Sequence, residues 1–333
     1  MHLNFSFIVP VYNRPEEISE LLESMTMMDY NACFEVVIVE DGSTVPSEEV
    51  VKTFSDRLHI SYYSKKNSGP GDSRNYGMER AEGNYFIILD SDCILPPHYL
   101  GEVDRELRTN YVDCFGGPDT AHPSFTDLQK AINYAMTATI TTGGIRGKKN
   151  AVGKFQPRSF NMGISRKAFA QTGGFGKIHP GEDPDLTIRL WRVGFDTRLL
   201  QNAFVYHKRR ISWTKFYKQV YKFGMTRPIL NYWHPQTEKI IYWLPAAFTA
   251  GLIVSLVLWG MGIPVFIMMY LLFFIVLFMD AFYKNRNLKV AVLAVFAVIV
   301  QFLGYGYGFI KSTWRIKVGQ AKPEEAFPEL FFK

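Results

Sequence analysis

Along the first 115 residues, apolar runs of strand length alternate with stretches whose apolar positions recur at helical spacing. Residues 5–9, 34–39, 59–63 and 85–89 are of the first kind. Residues 16–28 place Ile18, Leu21, Leu22 and Met25 on one helical face, and 47–56 and 71–81 also read as helices. Such alternation predicts a mostly parallel sheet covered by helices. Ligands of these sheets bind beyond the carboxyl ends of the strands. Val11-Tyr12-Asn13-Arg14, Asp41-Gly42-Ser43 and Asp90-Ser91-Asp92 each follow a strand directly, so all three are expected on one edge. No Gly-x-Gly-x-x-Gly follows the first strand, which argues against a dinucleotide site.

Residues 116–235 are less regular. A short strand is expected over 160–164 and helices over 167–172 and 185–193. Gly143-Gly144 and the basic Arg146-Gly147-Lys148-Lys149 suggest a mobile loop. No internal repeat or low-complexity segment stands out.

The pattern changes near Ile240. From there to Met279 no residue is charged, about twice the ~20 residues that cross a bilayer. Gly260-Met261-Gly262-Ile263-Pro264 divides the run, and a third apolar stretch covers 290–310. About three membrane helices are therefore expected within 236–315, near 241–259, 264–280 and 290–310, with a tail over 316–333. The preceding part divides into 1–115 and 116–235. Lys284, Arg286 and Lys289 after the second span obey the positive-inside tendency. A third crossing would carry Lys311, Arg315 and Lys317 to the other side, against it. Either the tail is an exception, or the third segment does not fully cross.

Composition adds little to this. The net charge is +6 with a pI of about 9.0. Its basic residues gather beside the membrane segment, which argues against a nucleic-acid partner. Cys33, Cys93 and Cys114 have neither disulfide-framework nor Cys-x-x-Cys spacing, and fit a reduced compartment. The opening residues lack a basic n-region and a long apolar core, so no signal peptide is expected and the sheet part stays cytoplasmic.

The chemistry concentrates at Asp90-Ser91-Asp92. A buried strand that delivers two acids to its end can hold a divalent cation against a phosphate-bearing ligand. Taken alone, Asp-x-Asp is also simply a polar turn. A second acidic group, Glu182-Asp183, opens the helix expected at 185 and fits an N-terminal dipole as well as catalysis. Residues 208–223 set Lys215, Lys218 and Lys222 among aromatics, as an interfacial helix on anionic lipid does.

Four features together resemble the family 2 glycosyltransferases of GT-A fold. They are Ile8-Val9-Pro10-Val11-Tyr12-Asn13-Arg14; Val39-Glu40-Asp41-Gly42-Ser43; Gly69 through Asn75-Tyr76-Gly77 to Leu89-Asp90-Ser91-Asp92; and Gly181-Glu182-Asp183 with downstream His207. The resemblance covers roughly residues 5–225. It implies an inverting, metal-dependent, membrane-anchored enzyme of the inner membrane, moving a sugar from a nucleotide donor, UDP-linked, to a hydroxyl of a glycan or lipid-linked acceptor. By that likeness Pro10, Val11, Tyr12 and Arg14 line the nucleotide pocket, Asp41 accepts from the base, Arg74 faces the nucleotide or its phosphates, and Asp90 contacts ribose or metal-bound water. Asp92 and His207 ligate Mn²⁺ or Mg²⁺. Asp183 is the general base, with Glu182 as alternative or as acceptor holder, each acid raising the other's proton affinity. Processive relatives carry Gln-x-x-Arg-Trp where this chain has Gln219-Val220-Tyr221-Lys222-Phe223, so polymer extrusion is not implied. Two rival readings are a polyprenyl-phosphate sugar synthase, which needs no base, and a channel- or flippase-like protein with a vestigial transferase domain.

Overall fold

The computed structural model describes residues 2–143, 154–208 and 212–332. Gly144, Arg146, Gly147, Lys148 and Lys149 of the expected loop, and Arg209 and Arg210, lie outside them. The chain forms two compact units. One holds residues 1–122, 147–208 and 331–333; the other holds 123–146 and 209–330.

In the first unit the chain runs β1 (Phe5–Val11), α1 (Pro15–Thr26), β2 (Glu35–Asp41), α2 (Glu48–Lys52), β3 (His59–Lys65), α3 (Pro70–Arg80), β4 (Tyr85–Leu89), β5 (Cys93–Ile94), α4 (Tyr99–Thr109), β6 (Cys114–Gly116) and β7 (Asp119–Thr120). After α5 (Asp127–Thr137) and α6 (Thr139–Thr142) of the second unit, it resumes with β8 (Asn161–Ser165), α7 (Arg166–Thr172), α8 (Glu182–Arg192), β9 (Thr197–Leu199) and β10 (Val205–His207). Among the described residues the main sheet has the order β3-β2-β1-β4-β8-β6-β9. Its first four strands are parallel, and β8 runs against both β4 and β6. The open, mostly parallel sheet flanked by helices is thus the expected one, with one antiparallel insertion.

The apolar runs explain the layering. Phe7, Val9, Ile87 and Leu89 pack on one face of the sheet, while Ile8, Val37, Val39 and Ile88 pack on the other. Strands covered on both faces need no polar alternation. On the second face α3 lies close: a Cβ at Gly77 would stand 2.8 Å from Cγ2 of Ile8, so only glycine lets the helix approach. The chain turns outward in opposite directions from β1 and β4. Such a switch point, at the carboxyl ends of β1 and β4, is where open α/β sheets bind ligands.

The second unit is helical. α9 (Trp213–Trp233) is longer than the basic segment foreseen and continues through Pro228. α10 (Leu244–Gly260), α11 (Val265–Asn285) and α12 (Leu288–Thr313) follow. Three helical segments, Ile240–Gly260, Val265–Asn285 and Leu288–Val318, are long and apolar enough to cross a membrane. Their positions match the three apolar stretches of the sequence.

Candidate active site

Each predicted loop lies at the carboxyl edge of the sheet. Asn13, in a left-handed conformation (φ 55°), stitches the first loop to the second: its Oδ1 accepts from the Thr44 and Val45 amides at 2.8 and 2.9 Å, and its amide donates to Ser43 Oγ at 2.7 Å. Pro10 and Val11 end β1, while Tyr12 is left 52% exposed. Asp41, the last residue of β2, is buried, and both its oxygens are engaged. Oδ1 accepts from Lys65 Nζ at 2.8 Å and the Ser68 amide at 2.9 Å, and Oδ2 from the Gly69 amide at 2.9 Å. Asp41 therefore fixes the entry to α3, and a base would have to share these oxygens.

That entry is constrained from outside as well. Gly69 has φ +95°, and a Cβ there would stand 2.3 Å from the ring of Phe332. Phe332 donates its amide to the Lys177 carbonyl at 3.1 Å, Phe331 bridges Ile178, and the Phe332 ring lies 6.0 Å from that of His179.

Arg74 sits at the centre. Carried by α3 and almost fully buried, it donates to Asp90 Oδ1 at 2.7 Å and Glu182 Oε1 at 3.0 Å, over the ring of Phe175. It joins the end of β4 to the start of α8, and Glu182 stands 108 residues from Arg74 in sequence. His179 Nδ1 lies 3.0 Å from the same Glu182 oxygen. Buried Glu182 Oε2, Ser73 Oγ and Arg74 Nε have no hydrogen-bond partner among the described residues, leaving polar capacity for a ligand. α8 begins at Glu182, three residues before the expected start, because both acids fit the first turn.

The acids do not raise one another symmetrically, as the sequence reading expected. Burial disfavours the charged form of Glu182, but His179 and then Arg74 outweigh it and hold the carboxyl at about 2. Asp183 goes the other way: burial raises it, Arg158 opposes that, and the neighbouring Glu182 charge raises it again. Arg158 Nη1 stands 3.6 Å from Asp183 Oδ2. The pair is thus split into a fixed anion and a poised acid.

Asp92 and His207 also meet. Asp92 Oδ1 is 3.2 Å from His207 Nε2, and Arg14 Nη1 is 3.9 Å from Asp92 Oδ2. The pairing of β10 with β5 sets His207 opposite Cys93, and its ring stacks on Phe160 at 4.7 Å. Asp119 Oδ2 faces His207 Nδ1 at 3.7 Å. At that distance the carboxylate is an electrostatic neighbour of the ring rather than a hydrogen-bond partner. Ligand atoms of Asp92, Cys93 and His207 all lie within 4.8 Å of one another. Burial pushes the Cys93 thiol well up and it donates to the Phe160 carbonyl at 3.4 Å, so the Asp92 oxygen and the His207 nitrogen are the donors that fit a divalent cation.

A family model described as glycosyl transferase family 2 matches residues 6–173, half of the chain. The chain belongs to glycosyl transferase family 2. Poly(ribitol-phosphate) beta-N-acetylglucosaminyltransferase TarS of Staphylococcus aureus (strain Mu50) is 38% identical to it over 114 residues, 33% of this chain and 20% of that protein. Chondroitin synthase of Escherichia coli is 26% identical over 235 residues, 61% of this chain and 34% of the synthase. The chain thus spans about a third or less of these curated relatives. Among solved structures, the mannosyltransferase PcManGT from Pyrobaculum calidifontis, in complex with GDP-Man and Mn2+, aligns with a TM-score of 0.60 at 14% identity, covering 96% of this chain and 89% of that one. This shared architecture is the GT-A fold that the sequence motifs implied.

Several partners in this family 2 site escaped sequence reasoning. Lys65, Arg158, Asp119 and Phe332 occupy no motif, and each acts through a side chain distant in sequence. His179 had a legible signal, its position three residues before Glu182, but nothing in sequence showed that its ring turns toward that carboxylate.

Proposed function

We propose that this chain transfers a sugar from a nucleoside-diphosphate donor, UDP-linked, to a hydroxyl of a glycan or lipid-linked acceptor, with inversion, at the cytoplasmic face of a membrane. The observation that carries the reading is Arg74 joining Asp90 to Glu182, with the raised Asp183 carboxyl beside it. The curated relatives, named as transferases or synthases of sugar polymers, support the glycan acceptor.

In this reading the β1 and β2 loops receive the nucleoside, with Tyr12, Arg14 and Asp41 at its base and Asp90 toward the ribose. Asp92 and His207 would hold Mn²⁺ or Mg²⁺, which supplies Lewis-acid stabilisation of the departing diphosphate. Arg74 holds Glu182 as a fixed anion that accepts from the acceptor. Asp183 takes the proton from the attacking hydroxyl, and attack opposite the leaving diphosphate inverts the anomeric centre. A raised carboxyl is the stronger base for that proton once ionised.

The test is Asp183→Asn in the full-length protein, following UDP release from UDP-sugars and nucleotide binding by calorimetry. Loss of transfer to hydroxyl acceptors by roughly 10²–10⁴-fold, with donor binding kept, is expected for loss of a general base. Near-normal turnover would instead favour a polyprenyl-phosphate acceptor, already anionic. Failure of the unsubstituted protein to bind UDP with Mn²⁺ would favour the channel-like reading.

A further inference from the structure

The second unit carries three helices long enough to cross a bilayer, yet their mutual contacts do not fit three crossings. α10 and α11 form an antiparallel hairpin: Tyr270 donates to the Phe248 carbonyl at 3.0 Å, and the Phe248 and Phe273 rings lie 5.7 Å apart. The outer half of the hairpin is bare except where its two arms meet, with Ile253, Met261 and Leu272 each more than half exposed. Its entry, at the start of α10, and its exit, at the end of α11, are necessarily on one side.

α12 stays at that end. Its first turns pack beside the exit, where Val290, Ala291 and Ala294 are buried with Leu277 and Ala281. Its middle reaches the start of α10, where Thr249 donates to the Phe302 carbonyl at 3.0 Å and a Cβ at Gly306 would stand 2.8 Å from the Pro245 carbonyl. Its last turns move on toward the entry, with Phe309 against Trp243 at 4.8 Å. Beyond them, Lys317 pairs with Glu238 at 3.1 Å, ahead of α10 itself. A helix antiparallel to both arms of an antiparallel pair cannot share their axis; it has to lie across them. Along α12, contacts with the hairpin begin and end at its base.

We propose that α12 does not cross but lies in the membrane plane on the entry side, with its free face in the lipid. That face is apolar: Val292, Phe296, Tyr307, Ile310 and Trp314 are exposed and fall on one side of the helix, while the turns at 297–306 between them are buried or half-buried. The opposite face is small and buried, with Ala291, Ala294, Ala297, Gly304, Gly306 and Gly308 against neighbouring helices. One packed face and one apolar face with tyrosine and tryptophan are what the headgroup–acyl boundary accommodates. The bare hairpin continues this surface, so the occupant is bilayer lipid rather than a protein partner.

Two further facts fit. Lys311, Arg315 and Lys317 then remain on the side of Lys284, Arg286 and Lys289, which removes the violation of the positive-inside tendency that a third crossing creates. Also, Phe331 pairs with Ile178 within the first unit, after only the connector 319–330. A chain that had crossed in α12 would have to recross in that short polar stretch.

The test uses the full-length protein in sealed vesicles and is independent of sugar transfer. The native exposed Cys33 marks the side of the first unit. In a Cys33→Ser background, Met261→Cys marks the hairpin tip and Lys322→Cys the residues after α12. A membrane-impermeant maleimide should label Cys33 and Lys322→Cys from one side and Met261→Cys from the other. Labelling of Lys322→Cys together with Met261→Cys means that α12 crosses, and the proposal falls. Labelling of all three from one side means that the hairpin does not cross, and it falls equally. Spin labels at Val292, Phe296, Tyr307 and Trp314 in phosphatidylglycerol–phosphatidylethanolamine proteoliposomes give a second readout. All four should report one shallow depth; a depth that increases toward the middle of the helix overturns the idea.

Discussion

Replacing Arg74 with Met removes the cation at the centre of the site while keeping most of the volume of the side chain. Its two contacts do not count equally. Asp90 is 33% exposed at its side chain and can regain water, whereas Glu182 is 4% exposed and cannot. Without Arg74, Glu182 keeps the contact with His179, whose side chain is 40% exposed. The guanidinium is buried and permanently charged, so its loss leaves the Glu182 anion without its buried cation. Removing one partner of a buried ion pair costs about 3–5 kcal/mol. For a unit of this size that lowers the melting temperature by roughly 10 °C.

The pH dependence provides the control. A carboxyl held at about 2 against an ordinary 4.5 stabilises the fold fully above its unfolded value, and loses that contribution as pH falls through the folded one. Wild type and Arg74→Met should therefore differ most near pH 7, draw together below the ordinary value of 4.5 and converge only as pH falls toward about 2. Tryptophan fluorescence melts of the detergent-solubilised protein measure this, with the more exposed Arg80→Met as reference. A loss below about 1 kcal/mol at pH 7 would refute the argument, because a buried anion left by its cation cannot be so cheap. So would a difference that grows on acidification.

Three further outcomes follow from the same geometry. With Asp183 raised by burial and by Glu182, the acid limb of the rate profile should lie above the ordinary aspartate value, with rate rising as pH increases through it; Arg158→Met should move that limb higher still, as pH–rate profiles of UDP release would show. Chelation, or Asp92→Ala, should weaken UDP binding by roughly tenfold or more in calorimetry, and added Mn²⁺ should restore only the chelated wild type. Gly69→Ala combines a positive φ with a Cβ 2.3 Å from the Phe332 ring, so it should cost about 1–3 kcal/mol in thermal melts; Phe332→Ala should relieve the clash but not the backbone strain.

Much of this was legible along the chain because it is local. Buried strands of a parallel sheet must be apolar on both faces, so residues 5–9 and 85–89 announce themselves, and a strand end followed by acids is visible as a string. Asp90, Asp92, Glu182, Asp183 and His207 could each be named because they stand in motifs. Their mutual geometry could not, since β10 reaches β5 only through backbone pairing between residues more than a hundred positions apart. The opposite behaviour of Glu182 and Asp183 was equally hidden. Adjacent acids look alike in sequence, and only the placement of Arg74, His179 and Arg158 makes one a fixed anion and the other a poised base.

The sequence by itself determined the class of fold, the edge at which chemistry gathers and the presence of long apolar helices. These follow from hydrophobic period and length, which each segment carries alone. Tertiary structure decided which charges face one another, which carboxyl is held down, and how the third apolar helix meets the first two. Coulomb interactions and side-chain packing act through space, over a few ångströms, and the order of residues along a chain does not fix those distances.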